Sequence, residues 1–189
     1  MQKLRNRERG RAACRARWSA LLAAAALLAV LLAGAVLPVR AEKNAPEGVS
    51  LSRAIPAQTL CFPLETDAWR VSDPYGWRDD PFTGQKAFHR GVDFACAEGS
   101  RVLAAMGGVI TSARRSSSYG NCVRISHPDG QETLYAHMQY LYVRAGEVVQ
   151  AGQPLGTVGR TGRATGAHLH FEFLTRGTRQ DPTAALGLP

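Results

Sequence analysis

Between Gly166 and Phe173 the chain reads GAHLHFEF, with His168, His170 and Glu172 alternating against Leu169, Phe171 and Phe173. A period of two predicts a β-strand that shows both imidazoles and the acid on one face and apolar side chains on the other. The same texture recurs from Cys61 to the end. Short apolar, β-branched or aromatic runs (RVLAAM, GVITSA, CVRISH, ETLYAHM, YVRAGEVV, LGTVG, LHFEFLT) are punctuated by Gly, Asp, Asn and Pro. HPDGQE carries the hairpin-turn pair Asp129-Gly130. Apart from a turn near 184–186, nothing in this part has helical period. The pattern predicts an all-β, antiparallel, sandwich-like domain over residues 61–189.

The N-terminal third differs. Trp18 to Leu37 holds twenty residues without a charge, enough at about 1.5 Å per residue to cross a hydrocarbon core of about 30 Å. Residues 1–17 carry seven basic residues and one acid. A basic cytoplasmic tail (1–17) before an apolar segment (18–38) describes a transmembrane signal anchor and a signal peptide cleaved near Ala41 equally well. In both cases the remainder is exported. Residues 42–60, Pro-containing and without period, read as a linker.

Charge adds little once it is located. Of the net +8, the 1–17 segment supplies +6; beyond Ala41 there are 15 basic and 14 acidic residues. The predicted domain is therefore nearly neutral, and its charge gives no support to nucleic-acid binding. Export makes disulfides permissible. Cys96 and Cys122, both in strand-like runs, are expected to pair.

The candidate chemistry lies in histidines and one aspartate. His89 precedes Asp93 by four residues in FHRGVDF, and Gly91 between them would ease a sharp backbone path. With the HLH pair these supply imidazoles and a carboxylate, the N and O donors used by zinc hydrolases that keep one position open for water.

In this order and spacing the motifs resemble the lysostaphin-type zinc metallopeptidases, enzymes that cleave peptide bonds in bacterial peptidoglycan. The resemblance covers residues 62–182. It rests on His89 and Asp93, on Tyr135-Ala136-His137-Met138, and on Gly166 to Glu172. It implies one zinc ion held by His89, Asp93 and His170, with His137 and His168 as non-ligand catalytic histidines. One would act as general base and the other would stabilise the oxyanion or protonate the leaving amine. Tyr75 and Arg78 fall near the expected substrate entrance. His127 reads as structural at a hairpin edge, and Tyr135 as packing. The implied partners are peptidoglycan peptides and, through the N-terminal segment, the membrane; the implied location is the bacterial cell envelope. A catalytically silent relative serving as scaffold or activator is the alternative, and a secreted peptidase acting on protein is a third reading.

Overall fold

The computed structural model describes residues 60–188. The expected tail, apolar segment and cleavage site, and nearly all of the linker, lie outside the described residues. Among those residues no helix is long and apolar enough to cross a membrane.

Twelve strands follow one another: β1 (Trp69–Asp73), β2 (Gly76–Asp79), β3 (Lys86–His89), β4 (Val92–Cys96), β5 (Arg101–Leu103), β6 (Gly108–Ser116), β7 (Gly120–Ser126), β8 (Gln131–Leu141), β9 (Val148–Val149), β10 (Pro154–Val158), β11 (His168–Thr175) and β12 (Thr178–Gln180). Every pairing is antiparallel. The only helical pieces in the described part are a single turn at Pro182–Ala185, capped by Asp181, and a short 3-10 turn at Pro128–Gly130. The latter is the expected Asp-Gly hairpin, with φ of 62° at Asp129 and 70° at Gly130. Two positive φ values in succession match the twist of the strands they join.

The predicted sandwich is realised differently. Ten strands form one continuous sheet, in the order β1-β4-β11-β8-β7-β6-β9, with β12 beside β11 and a β10–β5 branch leaving β8; β2 and β3 form a separate hairpin. The branch point explains the shape. The first half of β8 pairs with β11, whereas Met138 to Leu141 pair with β10. One sheet thus curls around a core to which both branches contribute, including Phe94, Val102, Ile110, Val123, Leu155 and Phe171.

The expected Cys96–Cys122 disulfide is absent; both are free thiols. Two strands, β11 and β8, stand between β4 and β7. At about 4.8 Å per strand the backbones are about 14 Å apart, well beyond the roughly 4.4–6.8 Å that a disulfide spans between Cα atoms. Cys96 also packs on the main core, whereas Cys122 lies with Leu134 and Ala136 in a second apolar cluster.

His127 and Tyr135 are structural, as expected. The His127 Nδ1–H donates to the Gly107 carbonyl at 2.9 Å, and Nε2 lies 2.7 Å from Thr133 Oγ1, itself 3.0 Å from the Tyr135 hydroxyl. That hydroxyl accepts the Ala105 N–H at 2.7 Å, and burial pushes its pKa up to about 12. Tyr135→Phe leaves this buried N–H without its acceptor and is expected to cost about 1–3 kcal/mol in urea denaturation.

Candidate functional site

Antiparallel pairing of β4 with β11 sets Asp93 opposite His170. The β2–β3 hairpin ends at His89 and brings that imidazole in from the side. The result is a triangle of donor atoms. His170 Nδ1 lies 2.7 Å from Asp93 Oδ1, His89 Nε2 lies 3.1 Å from His170 Nδ1, and His89 Nε2 lies 3.3 Å from Asp93 Oδ1. These three residues are the metal-ligand group found among the described residues.

The outward ring nitrogens fix which atoms carry lone pairs. The His89 Nδ1–H donates to the Pro74 carbonyl at 2.9 Å, and the His170 Nε2–H donates to Glu172 Oε1 at 3.3 Å. In neutral imidazoles, His89 Nε2 and His170 Nδ1 then face each other as acceptors beside an anionic oxygen. Two acceptors cannot hydrogen-bond to each other, so the site favours a positive charge there, either a proton on His170 Nδ1 donated to Asp93 Oδ1 or a bound metal ion. Donor atoms bound to tetrahedral zinc at about 2.0–2.1 Å stand about 3.3 Å apart; the two separations from His89 Nε2 match that, and the His170–Asp93 pair is closer, at hydrogen-bond distance. Protonation follows the same field. Burial opposes a charge on His170, but Asp93 and Glu172 overcome it and push its pKa up to about 9. Burial would likewise raise Asp93, yet His170 and His89 hold it well below the usual carboxylate range.

Glu172 is the residue that sequence reasoning passed over. It shares the His face of β11 and is fully buried, its Oε1 accepting from the Tyr119 hydroxyl at 2.6 Å and its Oε2 from Arg179 Nε at 3.0 Å. Burial works against its ionisation, but His170, Tyr119 and Arg179 outweigh it and hold the pKa at about 2. A carboxylate behind a ligating imidazole fixes the ring and raises its basicity. The signal was present in the alternation of β11, but the partners at 119 and 179 were not.

Gly91 has a different reason from the one expected. Its φ is not in the left-handed region; instead a Cβ there would sit 2.5 Å from the Phe171 carbonyl oxygen and 2.9 Å from His170 Cε1. The close approach keeps His170 in place.

Two further imidazoles adjoin the triangle. The His137 ring centroid lies 5.8 Å from that of His170 and 4.7 Å from that of His168, and His168 Nε2 lies 3.5 Å from Asp93 Oδ2. Each is oriented through Nδ1. His137 donates to the Thr161 carbonyl at 2.8 Å and His168 to the Gly166 carbonyl at 2.9 Å. Nε2 of each neutral ring is therefore the unprotonated nitrogen. Burial, aided by His168 and His170, lowers the His137 pKa to about 4.

His137 reaches the site through a distortion. Between Val123 and Asn121 of β7, two residues apart, β8 advances three, from Tyr135 to Met138. The extra residue makes a β-bulge, and His137 has φ of 60°. A side chain in the left-handed region costs about 1–2 kcal/mol and re-aims the imidazole out of the strand's alternation.

These residues line one groove of about 530 Å³ together with Asp73, Arg78, Asp80, Phe82, Phe88, Arg90, Tyr119 and Arg163. The five residues predicted as ligands or catalytic histidines all line it, and the histidine face of β11 is buried. Arg78 lines the groove and pairs with Asp73. Tyr75 does not line it; its ring packs on Phe88 and its hydroxyl donates to the Arg179 carbonyl at 3.3 Å.

Known proteins share this arrangement of chain. The peptidoglycan DD-endopeptidase ShyC of Vibrio cholerae is 41% identical over 131 residues, 69% of this chain and 30% of its own. Among solved structures, a zinc-containing peptidase from Vibrio cholerae is 33% identical with a TM-score of 0.60, covering 68% of this chain and 40% of that one. The catalytic domain of lysostaphin from Staphylococcus simulans is 33% identical with a TM-score of 0.57, covering 62% of this chain and 92% of that one. The chain spans about a third or less of the length of the curated relatives it matches. The profile of Peptidase family M23 matches residues 87–182, just over half of the sequence and including all five histidine and aspartate positions of the site. This chain belongs to Peptidase family M23.

Proposed function

We propose that this chain is a zinc-dependent endopeptidase that hydrolyses peptide bonds in bacterial peptidoglycan. The observation that carries this reading is the triangle of candidate ligand atoms on His89, Asp93 and His170 beside two imidazoles each held through Nδ1 on a loop carbonyl. The zinc-containing neighbour and the name of ShyC support metal and substrate class respectively.

His89, Asp93 and His170 hold one zinc ion, and Glu172 orients His170 from behind. When bound, zinc lowers the pKa of a coordinated water to about 7 and polarises the scissile carbonyl. The protein supplies the rest. One of His137 and His168 would accept the proton of the attacking water through Nε2 and, as imidazolium, pass it to the leaving amine; the other would stabilise the developing oxyanion only when it carries a proton on Nε2. Burial keeps both rings free of competing solvent. A silent scaffold would be expected to lack one of these five groups; here all five are filled and they converge. The N-terminal segment delivers the domain to the cell envelope, either as a membrane anchor or as a signal cleaved near Ala41.

The test is direct. The full chain, loaded with zinc, is incubated with peptidoglycan of several cross-link types and with casein. The expected result is near one zinc per chain, new amino termini from at least one peptidoglycan, and intact casein. Bound zinc with no new amino termini from any wall would replace this reading with a scaffold. Cleavage of casein but not of walls would point to a peptidase acting on protein.

A further inference from the structure

The two non-ligand histidines have a common support that lies outside the recognised motifs. Residues 159–167, between β10 and β11, supply both carbonyls that orient them: Thr161 accepts from His137 and Gly166 from His168. Arg163 stands between those two carbonyls. Its guanidinium forks onto Asp80, with one terminal nitrogen 3.0 Å from Oδ2 and the other 2.7 Å from Oδ1. It also lies 4.4 Å over the Phe82 ring, and its backbone N–H donates to the Ser118 carbonyl at 2.9 Å.

Asp80 is itself fixed. Its Oδ1 accepts from the backbone N–H groups of Phe82 and Thr83 at 2.9 and 3.0 Å and from the Thr83 hydroxyl at 3.2 Å. Its own N–H donates to the Gln85 carbonyl, and its carbonyl accepts the Gly84 N–H, both at 2.8 Å. Asp80 thereby organises the tip of the β2–β3 hairpin, whose other end is His89. A lone exposed ion pair contributes little; here the Arg163 side chain is about half exposed, but the geometry is bidentate and the Asp80 side chain is only 10% exposed. Such a fork fixes orientation as well as adding energy.

We propose that Asp80 and Arg163 form a tie across the groove that positions His137 and His168, so that both act on catalysis through the 159–167 loop rather than by touching substrate. The inference rests on the hydrolase reading above. The tie joins the wall that carries the metal ligand His89 to the wall whose carbonyls aim the two imidazoles. Without it the loop keeps the Arg163 N–H bond to Ser118 and the Thr161 hydroxyl bonds but loses its tie to the β2–β3 hairpin, and a displacement of about 1 Å at a catalytic group costs up to about 100-fold in rate.

The test compares Arg163→Ala, Arg163→Lys, Asp80→Asn and the Ala/Asn double variant in the full, zinc-loaded chain. Asp80→Asn retains one carbonyl oxygen for the hairpin turn but puts an NH2 donor in place of the second acceptor, so both the charge and the fork onto Arg163 are lost. The expected result is kcat lower by about 10–100-fold for Arg163→Ala, with KM within about threefold and one zinc per chain retained. Arg163→Lys should recover only part of the loss, because an ammonium cannot fork. The double variant should be no slower than Arg163→Ala, since both changes break one tie. Proton NMR supplies a readout independent of turnover: the Nδ1–H signals of His137 and His168 should both lose protection in Arg163→Ala. A loss confined to KM would overturn the proposal by making Arg163 a substrate contact. Unchanged kcat, or unchanged Nδ1–H protection, would overturn it outright. If the wild-type chain cleaves no peptidoglycan, the hydrolase reading fails, and the NMR comparison alone decides the tie.

Discussion

Asp93→Ala is expected to leave a folded protein that no longer retains zinc through gel filtration and shows no measurable hydrolysis. Asp93 supplies the only anionic donor of the triangle, with Oδ1 2.7 Å from His170 Nδ1 and 3.3 Å from His89 Nε2. Without it two neutral imidazoles face a divalent ion with no charge to balance it. Glu172→Gln is the milder contrast in the same metal-competition titration. Glutamine still offers His170 an acceptor, but the buried negative charge is gone and Arg179 loses its partner. Loss of such an outer partner typically weakens metal binding by about 10–100-fold, so Asp93→Ala should exceed that range and Glu172→Gln should fall inside it. Zinc affinity near wild type in Asp93→Ala would remove that residue from the ligand set.

The contrast between Asp93 and Glu172 also marks what the sequence made legible. Alternation put His168 and His170 on one strand face and made the all-β character legible, whereas Asp93 was read from its spacing after His89 and the division into ligands and catalytic histidines only through the family resemblance. Properties that depend on strand order could not be read in these ways. Cys96 and Cys122 both looked strand-borne, yet β11 and β8 come between them because late strands insert beside early ones. The partners of Glu172 come from 53 residues before it and 7 after it, on different strands or turns. The carbonyls of Thr161 and Gly166 act through backbone, which no side-chain motif records. The bulge at His137 is hidden for a similar reason: it exists only relative to β7. Tyr75 was placed near the groove by its neighbours in sequence, but its ring turns behind Phe88.

His168→Ala and His137→Ala should each lower kcat by about 10²–10⁴-fold, the usual contribution of positioned acid–base groups, while zinc stays near one per chain. Neither ring belongs to the triangle, and each holds its Nδ1–H on a loop carbonyl rather than on a ligand. His168 Nε2 does approach Asp93 Oδ2 at 3.5 Å, so a small change in zinc affinity is expected for His168→Ala and none for His137→Ala. The double variant should fall little below the worse single variant, because residues that act as a unit do not contribute additively. His137 allows a separate check on the cost of the bulge. With φ of 60° there, His137→Gly should be more stable than His137→Ala by about 1 kcal/mol, since glycine adopts the left-handed region without the Cβ penalty. Both should show the same loss of kcat. Stability rising at 137 while kcat falls would show a backbone held in a costly conformation to aim one imidazole at the substrate. If the single histidine variants instead lose zinc in parallel with rate, the division into three ligands and two proton-handling histidines is wrong.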